Sequence, residues 1–196
     1  MPLPRVTELA HVLVQKCLKA DGYAIDATVG NGHDTLFLAH LVGTGGRVDG
    51  FDLQRDAIEN TRRKTAGLPQ VHLHHLSHEK MGEHLAGPVD AVMFNLGYLP
   101  SGDKSVITHP ASTLPALETA AQVLGEGGIL TVVVYPGHEG GSAESTAVDQ
   151  WFKNLRRDCY RVVRFGPFGA SPPERESPYL LAAWREAVVK AEGSFE

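Results

Sequence analysis

Short apolar runs alternate with amphipathic stretches along the chain. Leu9, Val12, Leu13 and Cys17 share one face of a first helix that Thr7 can cap. A strand over Tyr23–Thr28, a glycine turn and an apolar helix from about His33 to Val42 follow. The alternation continues with a strand over Arg47–Leu53, a polar helix over Arg55–Ala66, a strand over Gln70–His75 and a short helix near Glu79–Ala86. Pro88–Asn95 reads as a fourth strand, continuously apolar in the manner of strands buried in parallel sheets. Leu114, Leu117, Ala121 and Leu124 mark the next helix, Gly127 and Gly128 follow it, and Ile129–Tyr135 is the fifth strand. Val148, Trp151, Phe152 and Leu155 recur at i, i+3, i+4 and i+7 on one further helix. Tyr160–Phe165 and Tyr179–Trp184 read as two last strands. With no helical period between them, they are expected to pair antiparallel at the sheet edge. The pattern predicts an α/β fold, a doubly wound Rossmann-like sheet of seven strands with a terminal antiparallel hairpin. Ala187–Glu196 reads as a frayed tail, and no linker divides residues 1–196, so one domain is expected.

Composition narrows the classes of function. Of 196 residues, 42% are hydrophobic and 21% charged, which suits a folded globular chain. Glycine is abundant, at 21 residues, so tight turns or close backbone approaches are needed somewhere. No stretch approaches the ~20 consecutive apolar residues that span a bilayer. Met1–Arg5 carries no apolar signal core, and a cytoplasmic location is expected. Cys17 and Cys159 match no metal or redox spacing. A net charge of −5 argues against non-specific coating of nucleic acid, but leaves room for an enzyme that meets one RNA through a local basic patch.

The stretch Asp26-Ala-Thr-Val-Gly-Asn-Gly-His-Asp-Thr35 joins the first strand to the first sheet helix, where α/β proteins bind ligands. Gly30 and Gly32 allow a sharp turn with exposed backbone. A dinucleotide fingerprint requires a third glycine where this chain has Thr35. Asp34 at the helix start would repel a pyrophosphate, whereas Asp26 and Asp34 together suit a cationic ligand. Asp52 ends the second strand and can accept both hydroxyls of an adenosine ribose. That set fits S-adenosylmethionine, which carries an ammonium and a sulfonium and no phosphate. Thr28, Asn31 and Gln54 flank these positions and join the candidate cofactor set. Ser77 and His78, after the third strand, fall where the adenine would lie. His72 and His74 alternate away from His75, so these histidines do not converge and no metal is expected.

The fourth strand ends in Asn95-Leu-Gly-Tyr98, which resembles the Asn-Pro-Pro-Tyr element of amino methyltransferases with Leu96 and Gly97 in place of the prolines. Methyl transfer is an in-line displacement at a sulfonium carbon, so aligning an amine lone pair accounts for much of the catalysis. Asn95 can accept an amine N–H, and Tyr98 can stack on a nucleobase or face a cationic transition state. The plainer alternative is that Asn95 caps a turn and Tyr98 packs. Lys104, in the loop Leu99–Ser112, can hold a phosphate or stay solvated, and His138 can serve the substrate or decorate a turn. Arg175 can shape a target pocket, and with Arg156, Arg157, Arg161 and Arg164 it supplies local charge for RNA phosphates or a solvated surface.

Together with Phe51-Asp52-Leu-Gln54, Ser77-His78, Asp103-Lys104 and Tyr135-Pro-Gly-His138, these blocks resemble the bacterial YtqB-like family over nearly the whole chain. The resemblance implies a class I S-adenosylmethionine-dependent methyltransferase of the MnmM type. Such an enzyme methylates the amine of 5-aminomethyl-2-thiouridine at the tRNA wobble position. It implies a tRNA partner met at the anticodon region, with Asn95 and Tyr98 catalytic; a homodimer is left open. Three rivals stand beside it: a methyltransferase of another RNA, protein or small molecule, a nicotinamide oxidoreductase, and a non-catalytic module that binds S-adenosylmethionine or RNA.

Overall fold

The computed structural model describes residues 4–97, 106–137, 140–166 and 177–187. Helix α1 (Val6–Cys17) precedes strand β1 (Tyr23–Asp26), helix α2 (His33–Val42), strand β2 (Arg47–Asp52), helix α3 (Arg55–Lys64) and strand β3 (Val71–His75). A 3-10 helix (His78–His84) leads to β4 (Val89–Leu96), α4 (Pro110–Val123), β5 (Leu124–Val134), α5 (Gly141–Asn154), β6 (Tyr160–Phe165) and β7 (Tyr179–Arg185).

The seven strands form one sheet in the order β3-β2-β1-β4-β5-β7-β6. The pairs from β3 to β5 are parallel, and β7 pairs antiparallel with both β5 and β6. The expected seven-stranded sheet with its terminal hairpin is therefore the architecture found. Side-chain alternation sends neighbouring residues of β4 to opposite layers. Val92 and Phe94 join Leu117 of α4 and Val148 of α5, while Ala91 and Met93 join Val14 of α1 and Leu38 of α2. Both faces are thus covered, which is why Ala91–Phe94 of β4 and Ile129–Val134 of β5 are buried without a break.

Two local expectations are corrected. Arg5, not Thr7, caps α1, because Glu8 at the third helical position accepts the Arg5 backbone N–H at 3.0 Å and its side chain at 3.1 Å. Leu124 belongs to the start of β5, not to a helix: its neighbour across the sheet is Val89, and the register shifts before Ala91 pairs with Ile129. Gly127, at φ +77°, lies within that irregularity.

Candidate cofactor and substrate cleft

The carboxyl ends of β1, β2 and β4 lie side by side, and the chain leaves each of them through a polar turn. After β1 the loop turns through Gly30 and Gly32, both at positive φ (+48° and +73°). Gly32 caps α2, and a side chain there would meet Thr61 Oγ1 at 2.4 Å. Glycine is required on both counts. Asp52, at the end of β2, holds the loop: its Oδ2 accepts the Gly30 N–H and its Oδ1 the Gln54 N–H, each at 2.8 Å. Burial raises the Asp52 carboxyl above the usual range, and these two N–H groups act against that rise.

Asp34 opens α2, where a carboxylate suits the positive end of the helix dipole. Its Oδ1 lies 2.6 Å from His11 Nε2, and its Oδ2 accepts the side-chain N–H of Asn95. The His11 ring stacks on Phe37 at 3.8 Å between centroids, which fixes the imidazole against the carboxylate. The backbone N–H of Asn95 donates to Thr28 Oγ1 at 2.7 Å, so the loop after β1 and helix α2 together hold the end of β4. Behind this row Asp26 is fully buried, with Thr35 Oγ1 donating to it at 2.6 Å and the Thr28 N–H at 3.2 Å. Its carboxyl is pushed up to about 7, first by burial and then by the nearby charge of Asp34.

Beyond β4, Thr108 returns to the strand end: its backbone N–H donates to Gly97 O at 2.9 Å, and its Oγ1 accepts the Gly97 N–H at 2.8 Å. That hydroxyl in turn donates to Glu144, a buried carboxylate that also accepts from Thr113, both at 2.7 Å. His78 is buried beside Phe94, and its Nδ1 lies 3.2 Å from Ala27 O. Donation to that carbonyl leaves Nε2 as the lone-pair nitrogen, and burial lowers the pKa of the ring, keeping it neutral.

These elements enclose a cleft of about 930 Å³. Of the residues expected from sequence, Thr28, Gly30, Asn31, Asp34, Asp52, Gln54, Ser77, His78 and Asn95 line it. Asp26, Gly32 and Thr35 do not line it; they support the loop from behind. Tyr98, Lys104, His138 and Arg175 lie outside the described residues. His74 turns to Asp49 at 2.7 Å and His75 to the Leu53 carbonyl at 2.8 Å, and the described residues contain no group of three or more metal-ligating side chains. Sequence reasoning missed Arg5 before α1 and Glu8 and His11 on it, and it met Thr108 and Tyr135 only as members of a loop and a motif without giving them a site role; all five are in the cleft wall. Tyr135 was within reach of the strand-end rule, since it directly follows β5. The α1 residues carry no such signal.

Fold and cleft define the class, a Rossmann-like methyltransferase fold. Residues 48–182 match the family described as "Putative rRNA methylase", and the chain belongs to that family. It is 42% identical over 164 residues to the chloroplastic tRNA (mnm(5)s(2)U34)-methyltransferase of Arabidopsis thaliana, covering 77% of this chain. This chain spans 60% of the length of that curated relative. The solved structure of a Clostridium thermocellum protein with the same description as the family is 39% identical. It has a TM-score of 0.87 and covers 94% of this chain and 100% of its own. A "putative methyltransferase" of Streptococcus mutans, solved in complex with SAH, is 35% identical with a TM-score of 0.83, covering 94% of this chain and 99% of its own. Among the described residues no helix is long and apolar enough to cross a membrane.

Proposed function

We propose that this protein transfers a methyl group from S-adenosylmethionine to the amine of 5-aminomethyl-(2-thio)uridine at the tRNA wobble position. The cleft suits that cofactor: it presents the carboxylates of Asp34 and Asp52 to a ligand that carries positive charge and an adenosine ribose. Asp52 accepts one N–H on each oxygen, and a carboxylate retains further lone pairs for ribose hydroxyls. When bound, S-adenosylmethionine supplies an electrophilic methyl carbon on a sulfonium whose charge disfavours a second cation beside it.

The observation that carries the reading is the Asp34–Asn95 hydrogen bond at the cleft wall. A carboxylate can only accept, so the Asn95 amide must turn its nitrogen to Asp34 and keep its oxygen for another donor. That oxygen can accept one N–H of a neutral amine and aim the lone pair. An alkyl ammonium has a pKa of ~10.4 in water, so it must shed a proton before it attacks. In this mechanism Asn95 orients the amine, Asp34 orients Asn95, and His11 holds Asp34. Tyr98 stacks on the target base, with Lys104, His138 and Arg175 on the substrate side. The RNA-modifying assignment is supported by the likeness to the Arabidopsis tRNA methyltransferase. A cytoplasmic location and contact with the anticodon region belong to the same proposal.

The test uses purified protein, methyl-labelled S-adenosylmethionine and bulk tRNA from cells lacking the gene. Label recovered in the 5-methylaminomethyl nucleoside after digestion is the expected result. Label in another nucleoside, or none while S-adenosylhomocysteine still binds, overturns the assignment.

A further inference from the structure

A second concavity, about 580 Å³ in volume, lies between α5 and the hairpin β6–β7 at the far edge of the sheet. Buried Phe152 and Leu181 contribute its apolar part, and the exposed cations Lys153, Arg157, Arg161 and Arg164 surround them. Two carboxylates share the groove, and both are engaged: Asp149 accepts from Tyr179 at 3.0 Å and Glu186 pairs with Arg161 at 2.7 Å. Arg156, just outside, is neutralised by Asp158 at 2.6 Å. Among the described residues Lys153 and Arg157 have no ion-pair partner. Arg164 lies over the Tyr179 ring, 4.0 Å from its centroid, which holds the guanidinium in place. In a chain of net charge −5 this is a local excess of positive charge on a concave surface.

The direction of the strands relates the groove to the cleft. β6 and β5 are each antiparallel to β7, so β6 runs with β5, and Arg164 near its end lies toward the carboxyl edge that carries the cleft. Arg161 and Arg157 step back from that edge along the chain. Pro178, immediately before β7, is itself in the cleft wall. We propose that this groove binds the sugar–phosphate backbone of tRNA and braces the molecule while the wobble nucleotide occupies the cleft. Guanidinium groups match phosphate oxygens, and groups without acidic partners give up no ion pair to bind them. The inference rests on the RNA-modifying reading above.

Lys153→Glu combined with Arg157→Glu tests it, since neither change breaks an ion pair. In methyl transfer to undermodified tRNA, KM for tRNA should rise about tenfold or more, and the salt dependence of log KM should flatten by about one unit or more. The kcat and calorimetric affinity for S-adenosylhomocysteine should hold, and Lys153→Arg with Arg157→Lys should behave as wild type. Unchanged KM and salt slope in the charge-reversed variant overturn the proposal. So does a change in sedimentation without a change in tRNA binding, which makes the groove a contact between copies of the chain. If wild type methylates no tRNA, the reaction assignment fails by itself. Fluorescence anisotropy with a labelled anticodon stem-loop then decides the groove: weaker binding by the reversed variant supports it, and equal binding refutes it.

Discussion

Asp34 and Asn95 meet across the gap between α2 and β4, the carboxylate of one accepting the carboxamide N–H of the other. His11 occupies the remaining oxygen of Asp34 at 2.6 Å, so three elements fix the direction of a single amide. Asn95→Ala removes the oriented oxygen, and kcat should fall by about 10²-fold. S-adenosylhomocysteine should still bind by calorimetry. His11→Ala should lower kcat less, and His11→Gln, whose side-chain N–H can still reach the carboxylate, should recover part of the loss. Equal turnover in wild type and both His11 variants would show that Asp34 holds Asn95 without help.

Glu144 anchors the turn behind the strand end. Glu144→Ala leaves the hydroxyls of Thr108 and Thr113 without their acceptor and opens a cavity in a buried site. The expected loss is about 3 kcal/mol. In thermal unfolding this should appear as a Tm lower by roughly 6–10 °C. Glu144→Gln, with the same shape, should lose about a third of that.

Gly32 and Thr61 should couple. Gly32→Ala places a carbon against the Thr61 side chain, with Oγ1 at 2.4 Å, at a backbone position of φ +73°. The cost should be about 2 kcal/mol, with weaker cofactor binding. Adding Thr61→Ala removes the two nearest atoms but not the strained φ, so the double variant should be less destabilised than the sum of the single changes. Strict additivity in denaturant unfolding would refute the contact.

Asp26 ties stability to pH. Its folded-state carboxyl titrates at about 7, above the value of 3.8 expected when exposed. Between these values the folded chain holds a proton that the unfolded chain releases. The resulting stabilisation is fully present below about pH 4 and is lost as pH rises through about 7. Asp26→Asn cannot titrate, yet it can accept the Thr28 N–H and meet the Thr35 hydroxyl. The difference in Tm, variant minus wild type, should therefore grow from pH 5 to pH 8. A constant difference would show that Asp26 is ionised throughout that range.

The succession of strands and helices, the terminal hairpin and the glycine loop were legible because they are written locally, in the alternation of apolar runs and in the residues between Asp26 and Thr35. Asp52 and Asn95 were legible for a related reason: each sits at the end of a strand in a fold whose strand ends face ligands. His11 and Glu144 were not. Each acquires meaning from a partner 23 or 36 residues away in the chain, Asp34 and Thr108 respectively, and no periodicity marks such pairs. Asp26 shows the opposite error. Its type and place suggest contact with a cation, but β1 turns the side chain into the protein, where it braces Thr28 and Thr35. Thr7 was a good cap by type, and was displaced because Glu8 reaches back to Arg5.

A carboxyl poised near neutrality beside a cleft also has a calorimetric signature. A cation that settles near Asp34 favours the ionised form of Asp26, whose proton must then pass to the surrounding buffer. Injections of S-adenosylmethionine at pH 7 should accordingly release different heats in phosphate and in Tris. The gap between them counts the hydrogen ions that leave as the ligand enters.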